Sequence, residues 1–594
     1  MKHRLKAMIL CGTVMGMGVM GSRAMAQARV DSYAAGGEKR GEPTPMSIPP
    51  WPSEYKLKPG DQDKLTAADV VGPDGIVYPN WKQVGVQGGI PDVPVAVKLD
   101  EMGAKPGTDI SGLIAKACEE VGAKGGGAIL IGKGTFYLDN PGVIRQSGVV
   151  IRGSGRENTR LVFRHSIVNP DAKSPKRSYP EPAVFLFLGN LENPEHPLAA
   201  DGKRGDTRLT LKDIRDLKVG DKVVLRAPVT QRWQAITKDK SSPQWGTRIG
   251  YYEIRAIAGN AITVNQPLRI DFPLADGSNL RRMHPVERSG LEDLTIEHTC
   301  KMQFHTVNSQ WAWNCWVRRV KVLNSGRSGV HFQAAKWCEV RDGEFDSTWA
   351  RGGGGVGYGG FTQSADCLME NTVWINYRHA PCVQYGAQGN VFRNSTFEGS
   401  DAQWHAGWAA ENLFENCVIL PARTKHKDDT PRNPETHYGS YGFGMFSTAS
   451  HDTTHGPNGP RNVVYNCDVT SKRDGVYGRG SSENWIFLHN RFVVTGNGAG
   501  GFYAESGFFD TIIRNNVFVL TDPSKPMLFL RTPDCVGIDL IGNTVYGGNG
   551  KLVEGATTVA VDKGNKALPS PKNDVPDRPK ANPLSIYEWQ KQQK

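Results

Sequence analysis

A short pattern recurs through residues 310–550: two or three apolar residues, one polar residue, Asn, then alternating apolar residues. It reads Leu368-Met369-Glu370-Asn371, Val391-Phe392-Arg393-Asn394, Leu413-Phe414-Glu415-Asn416, Val463-Val464-Tyr465-Asn466, Phe487-Leu488-His489-Asn490 and Ile512-Ile513-Arg514-Asn515. A looser copy ends at Asn543, and two earlier ones, without Asn, end at Arg319 and Asp342. Apart from one step of 50, successive copies lie 22–29 residues apart. A period of that size built from strand-like pieces specifies a solenoid, because each unit buries its apolar face only against its neighbours. Each copy holds three short β-rich runs split by Gly, Asn and Ser, such as 390–393, 395–398 and 406–408. The expected fold is all-β, a single-stranded parallel β-helix whose coils stack about 4.8 Å apart.

Length agrees with an elongated array. The chain has 594 residues, and single compact cores stop growing near roughly 250–300. The Asn column reads as structural: a corner Asn bonds its neighbours above and below and tolerates left-handed backbone. Cys315, Cys338 and Cys367 precede the corner by four residues and should stack inside as small apolar groups. Cys417 and Cys467 follow it directly, within disulfide reach if their coils are adjacent, or as a reduced stack.

The rest of the chain divides around the array. Residues 1–26 have a basic start (Lys2, Arg4, Lys6), an apolar stretch and Ala24-Met25-Ala26, the features of a cleaved secretory signal. No other apolar run reaches 18 residues, so a secreted or periplasmic protein without a membrane partner is expected. Loss of four basic residues with that segment lowers the formal charge from +11 to about +7. That balance suits an acidic substrate, and no dense Lys/Arg run calls for nucleic acid. Residues 27–104 are read as an extended, Pro-rich segment, and 105–200 as an N-terminal cap with the first coils. In the cap, Thr108–Val121 places Ile110, Leu113, Ile114, Ala117 and Cys118 on one helical face. Residues 201–285 break the period and read as an inserted β subdomain. Residues 286–567 are the β-helix proper, with a long loop at 421–460. Residues 568–594 read as a loosely packed tail.

Two glycine-rich stretches are not nucleotide sites. Gly127 to Lys133 is followed by Gly134 rather than Ser or Thr, and Gly355–Gly360 lacks a strand–helix setting.

Residues Gly107–Phe163 carry Thr108-Asp109-Ile110, Gly126-Gly127-Ala128-Ile129-Leu130, Gly134-Thr135, Tyr137 and Gly153-Ser154-Gly155. This stretch resembles the N-terminal region of the pectate-lyase-like (pectin-lyase fold) superfamily, and the Asn-cornered coils extend the resemblance to about residue 550. The resemblance implies a right-handed parallel β-helix with an N-terminal helical cap. It also implies that the loop after the third strand of each coil, with the following strand, lines the substrate cleft. That superfamily includes polysaccharide lyases, glycoside hydrolases, epimerases and phage adhesins, so the fold alone does not settle the reaction. The Asp-pair and His-Gly pattern of polygalacturonase-like hydrolases is not found, nor is the Asp-Pro-His-Asp pattern of alginate epimerases.

Seven to nine residues past the corner stand Arg327, Arg351, Arg378, Asp401, Arg423 and Arg473. Stacked in register, five guanidinium groups make either a basic ribbon suited to a polyuronate or a solvated turn face. Asp401 interrupts them in a stretch holding Trp404, His405 and Trp408, with the Trp rings as candidate sugar platforms. The 421–460 loop adds Tyr441 and His451 as candidates for one wall of the groove, and its His451, Asp452 and His455 match no strong metal spacing.

The expected activity is that of a polysaccharide lyase cleaving an acidic, uronate-containing glycan by β-elimination. Arg378, helped by Arg351 or Arg473, would neutralise the carboxylate. His405, oriented by Asp401, is the candidate base. Tyr385 or Tyr441 is the candidate acid, and Arg327, Trp404, Trp408 and His451 are candidate binding residues. No cofactor or metal is expected, calcium being the alternative neutraliser that some relatives use, and the chain is read as a monomer. Two rivals stay open. One is a glycoside hydrolase pairing Asp401 with Asp452 or Glu505; the other is a non-catalytic glycan-binding protein.

Overall fold

The computed structural model describes residue 57 and residues 62–171, 173, 180–237, 248–299, 301–351, 355–405, 407–423, 442–449, 455–572 and 574–593. Three long parallel sheets, of 14, 13 and 13 strands, run the length of a solenoid. One coil shows the plan. Leu368–Glu370 lies in sheet I, Val373–Ile375 in sheet II and His379–Gln384 in sheet III. Each strand pairs with its counterpart one coil away, as Leu368, Met369 and Glu370 do with Val391, Phe392 and Arg393.

Strand alternation sends every second side chain inward. Inside sheet II, Phe345, Trp374 and Phe397 pile in register, the first two rings 4.0 Å apart and 18° from parallel. Inside sheet I, Phe392 stacks on Phe414 at 4.7 Å. One apolar core runs from the cap through the coils. The α-helix Ser111–Ala123 closes one end, burying Ile114, Ala117, Cys118 and Val121 against the first coils.

The corner between sheets I and II is left-handed at Asn371, Asn394, Asn416, Asn466 and Asn515, with φ from 49° to 54°. Asn490 and Asn543 depart from the expected column. In those coils His489 (φ 60°) and Gly542 (φ 65°) make the turn. Asn490, Asn516, Asn543 and Asn565 instead form an amide ladder one residue further on, its first three members buried and Asn565 half-buried. A second ladder, Asn390–Asn412–Asn462, fills the corner between sheets III and I. Of the two alternatives for Cys417 and Cys467, the reduced one holds: all eight described cysteines are free and buried.

A seven-stranded antiparallel sheet interrupts the solenoid between Asn190 and His284, with its own apolar core. Trp311, Trp313 and Trp337 on the solenoid pack against its Val224, Ile249 and Tyr251. Two terminal segments differ from expectation. Residues 62–104 are not merely extended: Asp69–Val71 and Val77–Pro79 form a hairpin, and Val95–Lys98 joins sheet I. The C-terminal stretch is not a loose tail. After Lys566–Leu568 in sheet II the chain ends in the helix Ile586–Gln592. Its Ile586 and Tyr587 share a core with Tyr78, Trp81 and Tyr465, and Gln590 accepts a hydrogen bond from the Trp81 amide at 2.7 Å. The reason is apolar: the outer face of sheet I carries Leu368, Val391, Leu413 and Val463, which both termini cover. Among the described residues no helix is long and apolar enough to cross a membrane.

Candidate functional site

The site is built on the outward face of sheet III. Ser328, Tyr358, His379, Asp401 and Met445 open successive strands and are vertical neighbours. At the next outward position lie Gly360, Cys382, Gln403 and Ser447, two residues on in each strand except that of His379, where a bulge makes it three. This register brings together polar groups from four coils.

His379 Nδ1 lies 2.5 Å from Asp401 Oδ1, and the Ser447 hydroxyl donates to Asp401 Oδ2 at 2.5 Å. Both members of the His–Asp pair are fully buried. Desolvation pushes the Asp401 carboxyl up to about 7, against the opposing pull of the Ser447 hydrogen bond and of Arg378. Burial, then the positive charges of Arg378 and Arg479, drives His379 well below the usual imidazole range. Each partner is thus pressed toward its neutral form. Beside this pair, Tyr358 Oη lies 2.9 Å from His405 Nε2. The Tyr358 ring centroid is 4.8 Å from His379 and 5.3 Å from His405. The Arg378 guanidinium carbon sits 5.8 Å from the same ring. His455 packs edge-on to His405 at 4.7 Å, and Tyr385 at 6.2 Å. Tyr385, His455 and Arg479 are half-buried and form the rim, while Tyr358, Arg378 and His405 are 6%, 5% and 8% exposed.

Several expectations need correction. Asp401 orients His379 of the preceding coil rather than His405. Trp404 offers no sugar platform: between outward Asp401 and Gln403 the pleat turns Ala402 and Trp404 inward, and Trp404 packs 4.6 Å from Trp485 and 4.7 Å from Phe414. Trp408 is buried against Trp233, on the helix Gln231–Thr237 of the insert, 5.3 Å away. The Arg ribbon is not continuous. Gly357, not Arg351, stands between Arg327 and Arg378 in register, since its amide bonds the Arg327 carbonyl and its carbonyl accepts from the Arg378 amide. Arg351 is fully buried and donates to the Gly399 carbonyl at 3.1 Å. Arg327 is buried against Glu181, and Arg473 lies over the Tyr477 ring at 4.3 Å beside Asp474. Arg423 is largely exposed and pairs with Glu398. His405 is walled in rather than displayed. The 421–460 stretch is not one loop, because Met445–Thr448 within it is a strand of sheet III. Tyr441, His451 and Asp452 lie outside the described residues. The Asp401–Glu505 pairing fails on spacing. Three strand steps separate their positions in sheet III, or about 14 Å, beyond the 6.5–9.5 Å of an inverting pair.

Sequence reasoning missed Tyr358, Ser447 and the role of His379. Tyr358 sits in the Gly355–Gly360 stretch set aside as a failed nucleotide loop. Reading that stretch as the sheet III strand of its own coil would have placed Tyr358 above His379.

No protein-family model matches the chain, and no curated protein matches it. Solved structures do. It is similar to the tailspike gp61 of Pseudomonas phage phi297 at TM-score 0.54 and 15% identity, covering 76% of this chain and 70% of that one. The tailspike gp49 of Pseudomonas phage LKA1 gives 0.56 and 14%, covering 76% and 74%. The Gp54 tailspike of Acinetobacter baumannii bacteriophage AP22, solved with A. baumannii capsular saccharide, gives 0.54 and 11%, covering 80% and 76%. The chain is a right-handed parallel β-helix protein. At these identities the likeness is one of fold.

Proposed function

We propose that this chain is an exported carbohydrate-active enzyme, a polysaccharide lyase that cleaves an acidic glycan by β-elimination. The observation that carries the reading is the pairing of two proton-carrying couples, Tyr358–His405 and His379–Asp401, beside Arg378 and Arg479, with Glu505 too distant to serve as a second carboxylate. A capsular saccharide bound by a tailspike of the same fold supports a glycan as the ligand.

In this mechanism a uronate residue crosses the rim of Tyr385, His455 and Arg479. Arg378 and Arg479 offset its carboxylate charge, which lowers the cost of the enolate-like intermediate. Tyr358, its hydroxyl hydrogen-bonded to His405 and its ring beside the Arg378 guanidinium, serves as base. Tyr358 passes its own hydroxyl proton to His405 Nε2, the resulting phenolate takes the C5 proton, the C5–H electrons form the C4–C5 double bond, and the C4–O bond breaks. The leaving oxygen takes a proton from the same hydroxyl or from Tyr385. His405 holds the Tyr358 hydroxyl in place, and His379–Asp401 supports the Tyr358 ring from the next coil. The reading therefore moves the base from His405 to Tyr358.

The test is turnover on a panel of uronate-containing and neutral glycans. A lyase generates ultraviolet absorbance from the new C4–C5 bond. New reducing ends without that absorbance would make the chain a hydrolase, and retention without turnover would make it a binder.

A further inference from the structure

We propose that Glu181, His305 and His331 form a binding site for a first-row divalent metal ion of the zinc class. The three side chains each present one ligand atom, and these atoms all lie within 4.8 Å of one another. His305 and His331 open and follow on adjacent sheet III strands, His305–Trp313 and Ser328–Lys336. Glu181 arrives just before Ala183–Leu188 of the preceding coil. His331 lies on the strand next to that of Tyr358, one step of about 4.8 Å along the axis, and three steps from Asp401, and no step of the mechanism above uses the cluster.

The donor set is specific. Two imidazoles and one carboxylate suit zinc and its first-row neighbours, whereas calcium and magnesium favour all-oxygen shells. The imidazole rings lie 4.8 Å apart and 11° from parallel, both on one side of the strand pair. Ligands 2.0–2.1 Å from a tetrahedral ion sit about 3.4 Å apart, so small side-chain rotations close the cluster. The supporting groups are present. Arg327 Nη2 lies 3.3 Å from Glu181 Oε1, leaving Oε2, now 2.8 Å from His305 Nε2, as the ligand oxygen. Thr362 Oγ1 lies 2.6 Å from His331 Nε2. Such outer partners orient metal ligands.

A second observation comes from buried acceptors around the cluster. Asn308 stands opposite His331 in register, donates from Nδ2 to the Glu181 carbonyl at 3.0 Å, and is fully buried. Among the described residues its Oδ1 has no hydrogen-bond partner, nor has the equally buried hydroxyl of Ser328, which opens the His331 strand. Two such orphaned oxygens are costly where they are fully buried. A metal-bound water in the fourth coordination position would satisfy them.

The experiment uses the untagged chain, stripped with chelator and titrated with ZnCl2 against a chromophoric competitor. One equivalent is expected, with affinity at least tenfold weaker in Glu181→Gln and in His331→Ala. A native chain that takes up no more zinc than the His305→Ala/His331→Ala double variant overturns the proposal. Cobalt substitution supplies a readout that needs no variant. Visible d–d bands of a four- or five-coordinate N/O site support the assignment. The spectrum of aquo-cobalt alone, or a thiolate charge-transfer band assigning the ion to cysteine, overturns it.

Discussion

At Asp401 the pleat carries a carboxyl into the wall of the solenoid, where His379 and Ser447 are its partners. Unfolded, this group ionises near 3.8; folded, near 7. Between those values the folded chain holds a proton that the unfolded chain has lost, so stability falls as pH rises through that window and levels off above it. Asp401→Asn should flatten the dependence of Tm on pH from about 4 to about 7; a slope equal to the parent's would show that the carboxyl is not shifted. Tyr358→Phe removes only the hydroxyl and should lower kcat about 10²–10⁴-fold on a uronate polymer, with KM little changed. Arg378→Ala should cost about 10²–10³ in kcat. Steady-state kinetics followed by ultraviolet absorbance checks both, and near-parental turnover of Tyr358→Phe would remove it as the base. Asp401 and Arg378 were legible as polar residues at one coil position. Their partners were not, because hydrogen bonds between coils depend on a register that one residue can shift.

The amide ladders decide how individual coils hold together. Asn516 accepts from the Asn490 amide and side chain at 2.9 and 3.0 Å, and donates to the Phe487 carbonyl and to Asn543 Oδ1, both at 3.0 Å. Asn516→Leu strands buried donors and acceptors together, and chemical denaturation should show a loss of about 2–4 kcal/mol. Asn371→Ala, at an exposed corner of the other column with φ 53°, should cost only about 1 kcal/mol through left-handed strain. Equal losses would refute the distinction. The repeat predicted an Asn column, and one exists; its division into a turn-making column and a buried ladder one residue apart required the backbone angles of His489 and Gly542. The pattern in the sequence is blind to that offset because Asn serves both positions.

Over the whole molecule, the solenoid's outer faces are closed by parts of the chain remote in sequence. Asp69 from the N-terminal hairpin, Arg204 and Arg269 from the insert, and Asp366, Glu411 and Arg461 from the corners form one buried ionic network. Burial would raise the Asp69 carboxyl, but Arg461 and Arg204 outweigh it and hold the group low. Glu411 pairs with Arg204 at 2.6 Å and Arg269 at 3.1 Å. Glu411→Gln leaves both cations undercompensated and should cost about 3–5 kcal/mol, read as a lower denaturant midpoint. A variant as stable as the parent would mean that the network docks the insert without stabilising it.

What the sequence determined alone is periodic. The 22–29-residue recurrence, the inward apolar ladders and the capping helix all follow from local spacing, because each coil repeats the same problem of burying one face. What tertiary structure decided is lateral: the inward turn of Trp404, the burial of Arg351, the meeting of Tyr358 with His405, and the docking of Tyr587 beside Trp81. Those outcomes depend on which residues of different coils share a level and on which distant segments cover them. Hydrogen bonding and packing across the stack set both, and no single repeat records them.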